Sequence, residues 1–359
     1  MVPVVDLSRH GLELADLFSH RVAEIVHRGL FLLGPETEAF EHEFANWVGA
    51  PHAVAVASGA SALQLSLAAL GIGPGDEVIV PAFTAVPTAA AVCALGAVPV
   101  PVDVEAATAN LDPFLVQSAI TTRTRAVVVV HLYGRPATLP DVSVPIIEDA
   151  AQAHGAVEHD ARSAAVCYSF YPTKNLGGIG DGGAVVTNEA AFADQVRRLR
   201  VHGMTQQYVH ESVSQNFRMS ELEAAWLRLG LERLTEWNGR RRAIAERYRS
   251  AAPRLRWQQH HDRHVHHLCV ARFANRDAVR ETLTEAGVAT GVHYPLAITQ
   301  QPAYLHFRRS TCPESEAWAS ECVSVPCFPH LTESEIERVE LAIERLQIAV
   351  DGNPAEATP

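Results

Sequence analysis

The sequence predicts an α/β fold in which a large domain with a mostly parallel mixed sheet, flanked by helices, precedes a smaller C-terminal α+β domain. From residue 37 onward, stretches of helical apolar periodicity alternate with short Val/Ile-rich runs, the pattern of strand–helix–strand units. Several runs are apolar at every position, as in strands covered on both faces. A length of 359 residues at 48% apolar composition exceeds what one core usually serves, hence a second domain.

The first helix face is Phe40, Phe44, Trp47 and Val48; a second, Leu63, Leu67 and Leu70, belongs to a helix ending at Gly71. Strands are expected at 54–57, 78–80, 98–102, 126–131, 146–148, 167–170 and 184–187. Pro136, Pro140 and Pro145 punctuate the link between the strands ending near His131 and starting near Ile146. A parallel crossover normally contains a helix, so a loop or single turn is expected there instead. Helices follow over 189–199 and from Ser220 to about Tyr248, the latter with Leu222, Trp226 and Leu229 as its stripe. The last helix is capped by Thr332 and Glu335 and lined by Ile336, Val339, Ile343 and Leu346. The domain reading is 1–245, then 246–350, with 351–359 a disordered tail.

The 41 acidic and 29 basic residues give a formal charge of -12 without a Lys/Arg block, which argues against a nucleic-acid partner. The six cysteines lack paired C-x-x-C spacing, as expected of core residues in a reducing compartment. Asp6, Arg9 and Glu13 replace a secretory apolar run, and four prolines interrupt the apolar stretch 78–102; a cytoplasmic protein with no membrane span is expected. The histidine-rich run 260–267 lacks helical pairing of ligands and reads as a solvated loop, with no metal site. Arg240 to Arg242 read as an exposed charged helix face.

Three segments carry chemistry. In SFYPTKNLGGIGDGG, Lys174 follows a strand and precedes a permissive glycine run, where it reads either as a surface loop lysine or as an amine placed to meet a carbonyl cofactor. In VPIIEDAAQAHGA, an apolar strand runs into Glu148 and Asp149. A carboxylate at such a strand end points into the ligand crevice, where it can hold a proton on a pyridine nitrogen; the same Asp149 also suits a helix N-cap. Gln152, three residues on, is placed to contact the same ring. In AVASGASALQLSLAAL, Ser58 to Ser61 open a helix whose free N–H groups suit a phosphate, or serve capping alone.

With NFRMSELEAAW, HLYGRPA, HYPLAITQQPAY and SVPCFPHLTESE, these segments in this order resemble the DegT/DnrJ/StrS family of sugar aminotransferases, fold-type I pyridoxal 5'-phosphate (PLP) enzymes, over nearly the whole chain. The resemblance implies that Lys174 is the Schiff-base lysine and Asp149 the partner of the pyridinium, with Gln152 beside the ring. It implies phosphate contacts from Gly59, Ala60, Ser61 and Ser169, and from Asn216 toward the neighbouring subunit's cofactor, hence a homodimer with shared sites. His293 and Tyr294 would lie near the sugar. The implied reaction moves an amino group from an amino acid, L-glutamate, to a nucleotide-linked keto-deoxysugar in amino-sugar or antibiotic biosynthesis. A cyclitol ketone as acceptor and a non-catalytic regulatory relative are the alternatives. A sugar dehydratase of the same kind would carry histidine in place of Lys174. Two departures stand out: Ala60 replaces a threonine, and Ala85 replaces an aromatic that stacks on the ring, for which Phe83 is the expected substitute.

Overall fold

The computed structural model describes residues 1–157 and 160–352. Its helices are α1 (Leu7–Arg28), α2 (Pro35–Val48), α3 (Gly59–Ala69), α4 (Pro87–Cys93), α5 (Pro113–Ala119), α6 (Ala190–Leu199), α7 (Glu221–Ala251), α8 (Arg276–Glu285), α9 (Pro313–Glu321) and α10 (Glu333–Gly352). Seven strands form the main sheet: β1 (His52–Val56), β2 (Glu77–Pro81), β3 (Val98–Val102), β4 (Thr124–Val130), β5 (Ile146–Asp149), β6 (Ser163–Ser169) and β7 (Gly183–Thr187), in the order β1-β7-β6-β5-β4-β2-β3. β7 alone runs opposite to the other six strands. A hairpin, β8 (Met204–Gln206) and β9 (Val209–His210), precedes α7, and β10 (Arg256–Trp257), β11 (Cys269–Arg272) and β12 (Cys322–Val325) make a second sheet.

The continuous Val/Ile runs are explained by two cores, one on each face of the main sheet. Along β6, Ala165 and Cys167 join Leu63, Leu65 and Leu67 of α3, while Val166 and Tyr168 join Phe40, Phe44 and the first half of α7, as the two-residue side-chain period of a strand requires. On the second face Phe44 stands edge-on to Tyr168 and Phe170, with ring centroids 5.0 and 5.3 Å away. Between β4 and β5 there is one 3-10 turn, Leu132–Gly134, and no helix, as the prolines required.

α1 has no strong sequence signal, because only Leu14 and Ile25 of its 22 residues are buried. Its ends are nevertheless fixed: Asp6 accepts from the amide of Ser8, and Gly29 closes the helix at φ 69°. A third core joins the far end of α7 to α8, α10 and the second sheet, and Val2 packs with it through hydrogen bonds of Val2 with Gly287 and Ala289. The capping of α10 is as expected: Thr332 N–H donates to Glu335 Oε2 at 2.9 Å, and Glu335 N–H to Thr332 Oγ1 at 3.3 Å. Of the expected tail, 353–359 lie outside the described residues, whereas 351 and 352 end α10.

Two sequence readings need correction. His264, His266 and His267 are buried rather than solvated, with the rings of His264 and His266 stacked at 3.7 Å; only the start of the run is at the surface. Arg241 is buried too, and its guanidinium donates to the carbonyl of Cys327 at 2.5 Å. It faces the junction of two cores, a tertiary circumstance that an Arg-Arg-Arg run does not disclose. No described helix is long and apolar enough to cross a membrane.

Candidate active site

β1, β2, β4, β5 and β6 point the same way, so their C-terminal ends share one edge of the sheet, where ligands of such folds bind. Asp149 ends β5 there, only 6% exposed. Its Oδ2 accepts from the Thr88 hydroxyl at 2.9 Å and its Oδ1 from the Ala151 amide at 3.1 Å. Burial pushes this carboxyl above the ordinary carboxylate value, against the pull of the Ala151 amide, the Thr88 hydroxyl and the Lys174 charge. Such a group gains from a cationic partner.

Lys174 lies five residues beyond the end of β6, in a turn closed by its own amide on the carbonyl of Tyr171 at 2.8 Å. It is the only lysine in the chain. Its amine has no hydrogen bond or ion pair among the described residues, and desolvation lowers it to about 8 against the attraction of Asp149. An ammonium group left unpaired in a crevice is costly unless it is meant to become neutral and bond to something.

The third component is the start of α3. Ser58, extended, caps the helix by accepting from the Ser61 amide, which leaves the amides of Gly59 and Ala60 without partners among the described residues. Close approach makes glycine necessary here: a Cβ on Gly59 would lie 2.5 Å from Cβ of Ser169, and one on Gly183 would lie 2.3 Å from the Ser58 carbonyl oxygen. Strand β7 runs opposite to its neighbours and so brings Gly183 to the same edge.

These parts enclose a cavity of about 360 Å³, lined among others by Ser58, Gly59, Ala60, Asp149, Gln152, Ser169 and Lys174. A flat pyridine aldehyde bearing a phosphate fits this donor set: amides at a helix start for the phosphate, a buried carboxyl for a ring nitrogen, a free amine for the aldehyde.

Not every expected residue reaches the cavity. Ser61 does not line it; its Oγ lies 2.8 Å from that of Ser58. Phe83 does not line it either; its side chain is fully buried among Tyr133, Tyr294 and Trp318. Beside Ala85, the described lining has one aromatic, the half-exposed Tyr171. His293 and Tyr294 line an adjoining cavity of about 330 Å³ that shares Lys174 and Tyr171 with the first. Gln152 bridges the two: its Nε2 donates to the Tyr294 hydroxyl at 3.0 Å and its Oε1 accepts from the Tyr133 amide at 2.6 Å. Asn216 is exposed, away from its own chain's cavity, and accepts from Arg218. Sequence reasoning missed Thr88, whose place one helical turn from Thr84 gives no sign that it will meet β5, and Asp181, which lines the cavity from the glycine-rich loop.

The family model described as the DegT/DnrJ/EryC1/StrS aminotransferase family matches residues 13–344. The chain belongs to that family. Among its relatives, the erythromycin biosynthesis sensory transduction protein EryC1 of Saccharopolyspora erythraea is 44% identical, covering 94% of this chain and 97% of its own. The dTDP-3-amino-3,4,6-trideoxy-alpha-D-glucose transaminase of Streptomyces venezuelae is 42% identical over 98% of this chain and 97% of its own. The crystal structure of S. venezuelae DesV in complex with a ketimine intermediate superposes with a TM-score of 0.91 at 41% identity, covering 96% of this chain and 98% of that one. The cavity of this family member thus sits on a fold shared with a structure that holds a ketimine intermediate.

Proposed function

We propose that this chain is a PLP-dependent aminotransferase that moves an amino group from an amino acid, L-glutamate, to a nucleotide-linked keto-deoxysugar, as a cytoplasmic homodimer serving amino-sugar biosynthesis. The observation that carries it is the amine of the chain's only lysine, without a partner among the described residues, sharing a cavity with a buried carboxyl and a helix start whose first two amides are likewise without partners among those residues. The name of the 42%-identical transaminase favours a dTDP sugar with the carbonyl at carbon 3.

When bound, the cofactor supplies an aldehyde carbon that takes the amino group and a protonated ring that takes up the electron pair left at the donor's α-carbon. Asp149 would keep the proton on the ring nitrogen, and Thr88 and the Ala151 amide hold that carboxyl in place. The Gly59 and Ala60 amides would hold the phosphate, and Asn216 would serve the phosphate of a partner's site. Nζ of Lys174 would be the group that bonds to the cofactor's aldehyde and, once free, the base placed to carry the α-proton, a role for which burial, by favouring the neutral amine, suits it. Gln152, held by Tyr133 and Tyr294, sets the wall between cofactor and sugar.

The test is direct because one lysine exists. Borohydride reduction of the PLP-loaded protein, followed by peptide mapping, is expected to place the label on Lys174, and a panel of nucleotide keto sugars with L-glutamate should yield one aminated product by mass and NMR. A protein that stays colourless with PLP would point to the regulatory reading that the EryC1 name suggests. Transfer by Lys174→Ala at the wild-type rate would remove the assignment.

A further inference from the structure

Arg241 and Lys174 line one cavity of about 330 Å³ together with Tyr171, His267, His293 and Tyr294, and no Asp or Glu lines it. Two cations thus share a hollow without a counter-charge, in a chain whose formal charge is -12. Arg241 belongs to α7 and is 5% exposed. Its Nη1 donates to the carbonyls of Cys327, His266 and His267 at 2.5, 3.4 and 3.5 Å, while Nε has no partner among the described residues. No ion pair includes Arg241 among those residues, and burial lowers it only to about 10, so it stays cationic at neutral pH.

Carbonyl groups orient a guanidinium without cancelling its charge. If Arg241 only tied α7 to the segment after β12, a neutral amide would serve, because a buried charge without a counter-charge is costly. The charge makes sense when an anion enters the hollow. The two cations stand apart in it: the Lys174 amine feels Asp149 but not Arg241, whereas His267, kept neutral by burial, feels both. Nδ1 of His293 is engaged with Ser324 Oγ at 2.9 Å, which leaves its Nε2 without a partner among the described residues.

We propose that Arg241 selects the amino donor by binding the side-chain carboxylate of a dicarboxylic amino acid whose amino group is placed at Lys174, a role that presupposes the aminotransferase reading. A donor that displaces the lysine amine must start where that amine ends, and a second cation further along the hollow suits a molecule with an anion at its other end. The planar guanidinium matches a carboxylate in particular. A nucleotide sugar also brings an anion, its pyrophosphate. It is several times larger than an amino acid, however, and has to leave through the mouth, whereas Arg241 is set into the buried wall.

Calorimetric titration of the PLP-loaded protein with glutarate and pentanoate, acids of equal chain length that differ by one carboxylate and carry no nitrogen, tests it. Wild type should bind glutarate more tightly by about tenfold or more, the least that a hydrogen bond between charged groups contributes. Arg241→Gln, whose amide still donates to a carbonyl, should bind the two acids about equally, and Arg241→Lys, with the charge but not the fork, should fall between. A merely structural role would weaken both acids together and leave their ratio unchanged. Inorganic pyrophosphate, standing for the nucleotide's anion, should bind wild type and Arg241→Gln alike. Equal affinity of wild type for the two acids, an unchanged ratio in Arg241→Gln, or a loss confined to pyrophosphate would overturn the proposal. Should the glutamine variant fail to fold, a crystal structure of wild type with glutarate decides, by whether a carboxylate lies within hydrogen-bond distance of Arg241. Failure to take up PLP would sink the aminotransferase reading, whereas PLP uptake without a preference for glutarate would sink the role of Arg241 alone.

Discussion

Replacing Gly59 by alanine isolates the contact on which the phosphate cradle depends. The added Cβ would stand 2.5 Å from Cβ and 3.2 Å from Cα of Ser169, whereas carbon atoms in contact settle at about 3.5–4.0 Å. One of the two segments must therefore move by about 1 Å, and because the obstacle includes backbone, a rotamer change does not relieve it. Overpacking of this kind costs about 1–3 kcal/mol. Falling on the bound arrangement, that weakens cofactor binding by about 5- to 150-fold. Chain stability is a poor reporter here, since alanine is favoured over glycine in a helix by up to about 1 kcal/mol and offsets part of the strain. The measurement is PLP affinity by absorbance titration for Gly59→Ala, with and without Ser169→Gly. The second change removes the near atom and leaves only the 3.2 Å approach, so measured against Ser169→Gly alone the effect of Gly59→Ala should shrink, with a coupling of about 1–2 kcal/mol. Undiminished affinity in Gly59→Ala, or the same loss on both backgrounds, would refute the idea that backbone crowding at α3 shapes the site.

Three further outcomes are expected. Covalent capture of PLP by the cofactor-free protein should accelerate with pH to a midpoint near 8 rather than the ordinary lysine value of 10.5, because only the neutral amine attacks; stopped-flow absorbance reads this, and a rate still rising beyond pH 9.5 contradicts a desolvated Lys174. Thr88→Val takes a 2.9 Å hydrogen bond from the buried Asp149, worth about 1.5–3 kcal/mol to a charged acceptor, so transfer should slow by roughly 10- to 100-fold while Thr88→Ser stays within a few-fold; equal rates in both would show that Asp149 is held by something else. Phe44→Ala removes a fully buried ring from the cluster with Phe40, Tyr168 and Phe170 and should destabilise the chain by about 3–5 kcal/mol in urea unfolding, with a loss under about 1 kcal/mol showing that the cluster repacks.

The legible parts of this protein are those whose cause is local. Each main-sheet strand overlaps its predicted range, because burial on both faces requires unbroken apolar runs such as those of β4 and β5. Asp149 and Lys174 could be located because polar residues abruptly end such runs. What escaped has a tertiary cause. Phe83 carries the chemistry of a ring cover, yet Trp318, from beyond residue 300, and Tyr133 claim it for the core. The burial of His264, His266 and Arg241 follows from where α7 crosses the second core, which residue type alone does not encode. Thr88 reaches Asp149 only because α4 starts beside the end of β5.

The start of α7 shows how such long-range arrangement yields a defined site. Glu221, fully buried, accepts from the amides of Gly34, Glu36 and Thr37, thereby setting the entry of α2 from 184 residues or more away in sequence. Two residues on, Glu223 accepts from the Gly180 amide, and one turn later the Trp226 indole donates to the carbonyl of Gly177. One helix start thus fixes two separate loops, and the second of them leads back to Lys174. Unsatisfied backbone groups buried in those loops would cost about 1–3 kcal/mol each, so the side chains of α7 supply partners that no secondary structure offers. A reactive amine on a glycine-rich turn keeps its place for this reason: the freedom that glycine gives the backbone is removed again by acidic and indole side chains from α7.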